Sequence, residues 1–111
     1  MVDLRVLNEL TDKEIELLDR EHPPYRTNEE VYDAISHELK DFLENVEQMK
    51  WLMSYDIPKC IRKEEAINPT LIHLSGAAER ATLLAIQIIA ICERAIFMDE
   101  TEDGERKPAD Y

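Results

Sequence analysis

Six side chains in the first half of the chain have the types and spacing for chemistry. Glu30, Asp33, His37, Asp41 and Glu44 step by 3, 4, 4 and 3 residues, and Glu38 lies beside them. Residues three and four apart share one face of a helix, so neighbouring carboxylates there can hold a divalent cation between them. Hard oxygen ligands of this kind suit magnesium better than zinc. The same residues serve equally as the solvated side of an amphipathic helix, with His37 within hydrogen-bond reach of Asp33 and Asp41, and at this level both readings stand. His22 and His73 have no partner at metal-ligand spacing. Cys60 and Cys92 make neither a zinc pattern nor a disulfide framework, and read as free thiols suited to a reducing compartment. The sequence holds no glycine-rich phosphate loop, no nucleophile elbow and no Cys–His–acid arrangement.

The acidic face needs a helix to carry it, and Thr27 with Glu30 supplies the start, at capping-box spacing. A long helix is expected from there to about Ser54. Val31, Ile35, Leu39, Phe42, Val46, Met49 and Met53 step by 4, 4, 3, 4, 3 and 4, the period of an interhelical seam. Ile57-Pro58 closes it, and the stretch to Ala66 leaves room for one further turn. Asn68-Pro69 then reads as N-cap and first helical residue of another long helix, to about Met98. Within it, Ala81 to Cys92 is apolar all round apart from Thr82 and Gln87, and a helix of that kind must be covered on every side. Gln87 there either bonds across a bundle or contacts a ligand. Earlier in the chain, Thr11 and Glu14 repeat the capping-box spacing and predict a short helix from about Asp12 to Glu21, ended by Pro23-Pro24. Residues 1–10 read as an arm in which alternating Val2, Leu4 and Val6 and helical Leu4, Leu7 and Leu10 fit equally well.

The composition bounds the partners. The 111 residues are 44% hydrophobic and 34% charged, with a formal net charge of −12 and no basic cluster to track a phosphate backbone, so direct nucleic-acid binding is not expected. A leader and a membrane span are not expected either, because the longest apolar run is about twelve residues against the roughly twenty needed. The expected fold is all-α. Two long antiparallel helices and a short N-terminal one form a single domain over residues 1–98, with an acidic, mobile tail at 99–111. These helices are too few to cover the apolar one, so oligomerisation to a four-helix bundle, as a dimer or tetramer, is expected to complete the core.

Three stretches carry a family resemblance. EHPPY at Glu21 to Tyr25, NEEVYDAISHELKDFLENVEQMKWLM and the alanine-rich helix ending AIQIIAICERAI together resemble small phage and prophage proteins related to the all-α, MazG-like nucleoside triphosphate pyrophosphohydrolases, over about residues 20–97. That family uses an ExxE pair and a later ExxD pair to hold magnesium against nucleotide phosphates, and its members are dimers or larger. Glu38 and Asp41 look like the first pair. The second falls at Glu79, with Thr82 where an acid is expected. The resemblance therefore implies metal ligands at Glu38, Asp41 and Glu79; Glu44 joins this candidate metal site from the acidic face, and Lys40, His37 and Gln87 are the candidate ligand contacts. The resemblance also implies a cytoplasmic protein of phage type, in a bacterial host cell, whose reduced magnesium–nucleotide site binds rather than hydrolyses, because losing a carboxylate weakens placement of both metal and attacking water. Retained pyrophosphohydrolase activity is one alternative, and an acidic helical inhibitor that captures a host protein is another. Ala85→Glu or Ile88→Asp, each burying an unpaired charge, is expected to abolish the folded oligomer. A variant that kept its mass and helix content would refute the assignment of this stretch to the core.

Overall fold

The computed structural model describes residues 3–101, and side chains as far as Phe97. Among the described residues every regular element is helical: α1 (Leu4–Glu21), α2 (Asn28–Trp51), a π-helical turn (Leu52–Asp56), α3 (Ile57–Arg62) and α4 (Asn68–Thr101). No described helix is long and apolar enough to cross a membrane. The chain divides into two compact units, residues 1–38 with 86–111 and residues 39–85, so each takes part of α2 and part of α4.

α1 starts eight residues before the expected Asp12. Asp3 is its N-cap, and its carboxylate accepts the amides of Arg5 at 3.0 Å and Val6 at 3.2 Å. Those amide bonds, first that of Val6, together with the Arg5 guanidinium, hold the Asp3 carboxyl below its usual pKa. Thr11 is therefore not a cap. It lies inside the helix, 1% exposed, and its hydroxyl donates to the Leu7 carbonyl at 2.9 Å. Residues 4–10 contain no glycine or proline, so a helix begun at Asp3 passes through Thr11, whose hydroxyl is satisfied by its own backbone. The helical spacing of Leu4, Leu7 and Leu10 is the one that holds. Pro23-Pro24 follows the end of α1, as expected, with His22 donating its amide to Leu18 at 2.8 Å.

The Thr27 cap also forms: its hydroxyl accepts the Glu30 amide at 3.2 Å, while the Glu30 carboxylate reaches back to the Arg26 amide at 2.7 Å. At the other end of α2 the chain does not break at Ile57-Pro58. The helix widens instead, and Ile57 donates its amide to Leu52, five residues back. The wider turn sets aside the bond that Pro58 cannot donate and relieves the clash of its ring with the turn before it, so α3 continues with Pro58 in its first turn. α3 ends with Glu64 at φ 55, and the Glu65 amide donates to the Cys60 carbonyl at 2.9 Å, a left-handed cap in which glycine is the usual residue.

In the unit of residues 39–85, the nested pairs Asp56 with Thr70 and Asn45 or Gln48 with Arg80 show the chain doubling back on itself. Leu52, Ala77 and Ala81 are its buried apolar residues. The buried apolar residues of the other unit are Ile86, Ala90, Ile91 and Ala95. α4 extends three residues past its expected end, and the rest of the expected tail, residues 102–111, lies outside the described residues. Replacing Glu64 by Gly removes the Cβ strain of the left-handed cap, and is expected to stabilise the fold by about 0.5–1 kcal/mol, read as a rise of several degrees in Tm.

Candidate functional site

In the unit of residues 1–38 and 86–111, a hollow of about 550 Å³ opens among the end of α1, the connector and the first part of α2. Leu18, Pro23, Pro24, Ala34 and Ile91 give it an apolar lining. Glu30, Asp33, His37 and Glu38 line it from α2, because steps of three, four and one keep these positions on one side of a helix. His22 and Tyr25 complete the lining from the connector. The polar part of this surface thus holds three carboxylates, two imidazoles and a phenol, with no Lys or Arg.

The connector is fixed from behind by Arg94 of α4, which is 4% exposed. Its guanidinium donates to Asp19 Oδ1 at 2.7 Å, to the His22 carbonyl at 2.7 Å and to the Pro23 carbonyl at 3.2 Å. It also lies over the Tyr25 ring, 4.8 Å from the centroid. The His22 and Pro23 carbonyls lie beyond the end of α1, and Pro23 and Pro24 have no amide to donate, so the Arg94 side chain supplies donors there. The planar fork of arginine reaches all of these acceptors from one position. Its Nη1 is buried without a hydrogen-bond partner among the described residues.

His37 and Glu38 line the hollow. Asp41 is half-buried, its backbone carbonyl accepting from the Asn45 amide group at 2.9 Å, and Glu44 and Lys40 are exposed. Glu79 lines a separate groove on α4, in the other unit, with Asn68, Leu71, Ile72, Ser75 and Gly76. Gln87 is half-buried. Thr82 is exposed and donates to its own helix, at the Ala78 carbonyl, 2.8 Å away. Among the described residues no group of three or more His, Cys, Asp or Glu side chains is arranged to hold a metal ion. Burial, and secondarily the Glu93 carboxylate, raise the Cys92 thiol above its usual pKa.

Sequence spacing missed His22, Tyr25 and Arg94. His22 joins His37 only through the fold, and no spacing signal marks Arg94. Comparison with protein families, curated proteins and solved structures gives no match to this chain.

Arg94→Ala is expected to cost about 2–3 kcal/mol, since it removes several charge-assisted hydrogen bonds at a buried position. Asp19→Ala should cost less than Arg94→Ala, because the guanidinium keeps the His22 and Pro23 carbonyls and the Tyr25 ring when the carboxylate is removed. Thermal unfolding of the two variants measures the asymmetry; equal losses would show that the ion pair, and not the connector, is what Arg94 holds.

Proposed function

We propose that the protein binds a magnesium–nucleotide in the hollow of the unit of residues 1–38 and 86–111, without hydrolysing it. The observation that carries this reading is that His37 and Glu38 line one hollow with Glu30 and Asp33, beside the Tyr25 ring. Its volume of about 550 Å³ lies within the usual range for a small-molecule site. A lining of carboxylates without Lys or Arg repels a bare phosphate and accepts one that arrives with a divalent cation. Magnesium is commonly held by one or two carboxylates, with phosphate oxygens and water filling the remaining positions, so three converging protein acids are not required. Glu38 with Asp33 or Glu30 has the hard oxygen donors for that role, and the ion would supply charge neutralisation for the phosphates. Tyr25 offers an aromatic surface for a base. Binding without turnover fits Thr82 in place of the second pair's acid and Glu79 on a separate groove. This assignment keeps the MazG-like reading of the helices, with a reduced metal site in a cytoplasmic protein of phage type.

The protein is further proposed to work as a homodimer or tetramer. No residue of α2 is buried, and Tyr32, Leu39 and Leu43 stand exposed along it. A second reading draws on charge: residues 1–38 and 86–111 carry seven Lys and Arg against eighteen Asp and Glu, a surface suited to capturing a basic host protein.

Thermal melts against nucleoside triphosphates and signalling nucleotides, with and without magnesium, test the proposal. At a ligand excess of about a hundred times Kd, a rise of several degrees is expected only with magnesium and nucleotide together. Glu38→Ala should abolish it, and no pyrophosphate should appear. Pyrophosphate release would establish the enzyme instead. No shift with any nucleotide, together with salt-sensitive capture of a basic protein, would establish the second reading.

A further inference from the structure

We infer that Arg94 fixes what the hollow accepts at the Tyr25 ring: a purine base, and not a second cation. The inference rests on the magnesium–nucleotide reading above. It names the class of nucleotide and makes Arg94 a positioning residue of the site in the acidic unit of residues 1–38 and 86–111.

The lining divides by element. α2 brings Glu30, Asp33 and Glu38, and Glu30 is tied by its carboxylate to the Arg26 amide at 2.7 Å, which leaves Asp33 and Glu38 for the metal ion. The other elements bring Leu18 from α1, Pro23, Pro24 and Tyr25 from the connector and Ile91 from α4, apolar groups around one phenol ring, with His22 beside them. A flat, weakly hydrated group is favoured against such a wall, and the charged end of the same ligand against α2.

Tyr25 is half-buried and belongs to that wall, whereas Arg94 is no part of the lining. The guanidinium carbon stands 4.8 Å from the ring centre, within cation–π range. The ring surface that meets the hollow is therefore not the face that Arg94 covers. A cation over one face draws the ring's electron density toward itself, so a second cation on the far side meets a weakened ring and the repulsion of the first. A neutral, electron-rich base meets neither obstacle, and the two fused rings of a purine stack over more area than the single ring of a pyrimidine. Arg94 cannot turn away to relieve this. It is 4% exposed and donates to Asp19 at 2.7 Å, to the His22 carbonyl at 2.7 Å and to the Pro23 carbonyl at 3.2 Å. The last two belong to residues three and two before Tyr25, so the contacts that hold Arg94 also place the ring.

Isothermal titration of the full chain with ATP, GTP, CTP and UTP, with and without magnesium, tests this. The wild type should bind both purine nucleotides about tenfold more tightly than both pyrimidine nucleotides, the scale of one base stacked on one aromatic ring. Tyr25→Phe keeps the ring and should keep the preference. Tyr25→Leu should bring all four affinities within about twofold of one another, with binding still dependent on magnesium. Arg94→Lys keeps the charge and loses the fork, and should lose the preference as well; a merely structural role would weaken all four nucleotides alike. Tyr25→Leu decides alone if Arg94→Lys does not fold. No binding of any nucleotide by the wild type would overturn the nucleotide reading and this inference with it. Binding without a purine preference, a preference that survives Tyr25→Leu, or equal weakening of all four nucleotides in either variant would keep that reading and overturn this inference.

Discussion

One buried guanidinium organises the acidic unit. The turn between α1 and α2 passes through His22, Pro23 and Pro24, and this is where the backbone has fewest donors of its own. Arg94 supplies them from α4, while its charge is answered by Asp19 and by the face of Tyr25. Ala90 and Ala95 beside it on α4 are both buried, and their small size leaves the room that a guanidinium needs. A lysine in the same place would bring a point charge without the fork, and could not serve Asp19 and two carbonyls at once. The hollow is lined by this turn and by α2.

Charge then differs between the two units: seven Lys and Arg against eighteen Asp and Glu in residues 1–38 and 86–111, and six against seven in residues 39–85. The acidic unit contains the hollow, whose lining suits a cation or a ligand that carries one. The balanced unit contains the exposed apolar surface, the Trp51–Tyr55 pair with ring centroids 6.2 Å apart, and the groove of α4. The widened turn before Pro58 is a local matter by comparison: it lets one proline sit in a continuing helix, so that Asp56 reaches the Thr70 hydroxyl at 2.5 Å and ties the return of the chain.

The sequence by itself determined the helices, because their signals are local. Thr27 and Glu30 are three residues apart, Pro23-Pro24 can only end a helix, and Asn68-Pro69 can only begin one, so the all-α class and the start of α2 followed from neighbours in the chain. Where two local signals competed, the sequence could not choose: Thr11 had the spacing of a cap, yet Asp3 captured the start because nothing between them breaks a helix. Pro58 likewise read as a stop, since no local rule anticipates a turn wide enough to pass it.

The tertiary structure alone decided which residues share the hollow. His22 and His37, fifteen residues apart and on different elements, share a hollow only because the connector folds back, and Arg94 finds its acceptors 71 to 75 residues away. Glu38, which the resemblance had paired with Glu79, lines the hollow, and Glu79 lines a groove of the other unit. Periodicity states which side of a helix is apolar or acidic. It carries no information on what stands opposite, because that depends on packing between residues the chain keeps far apart.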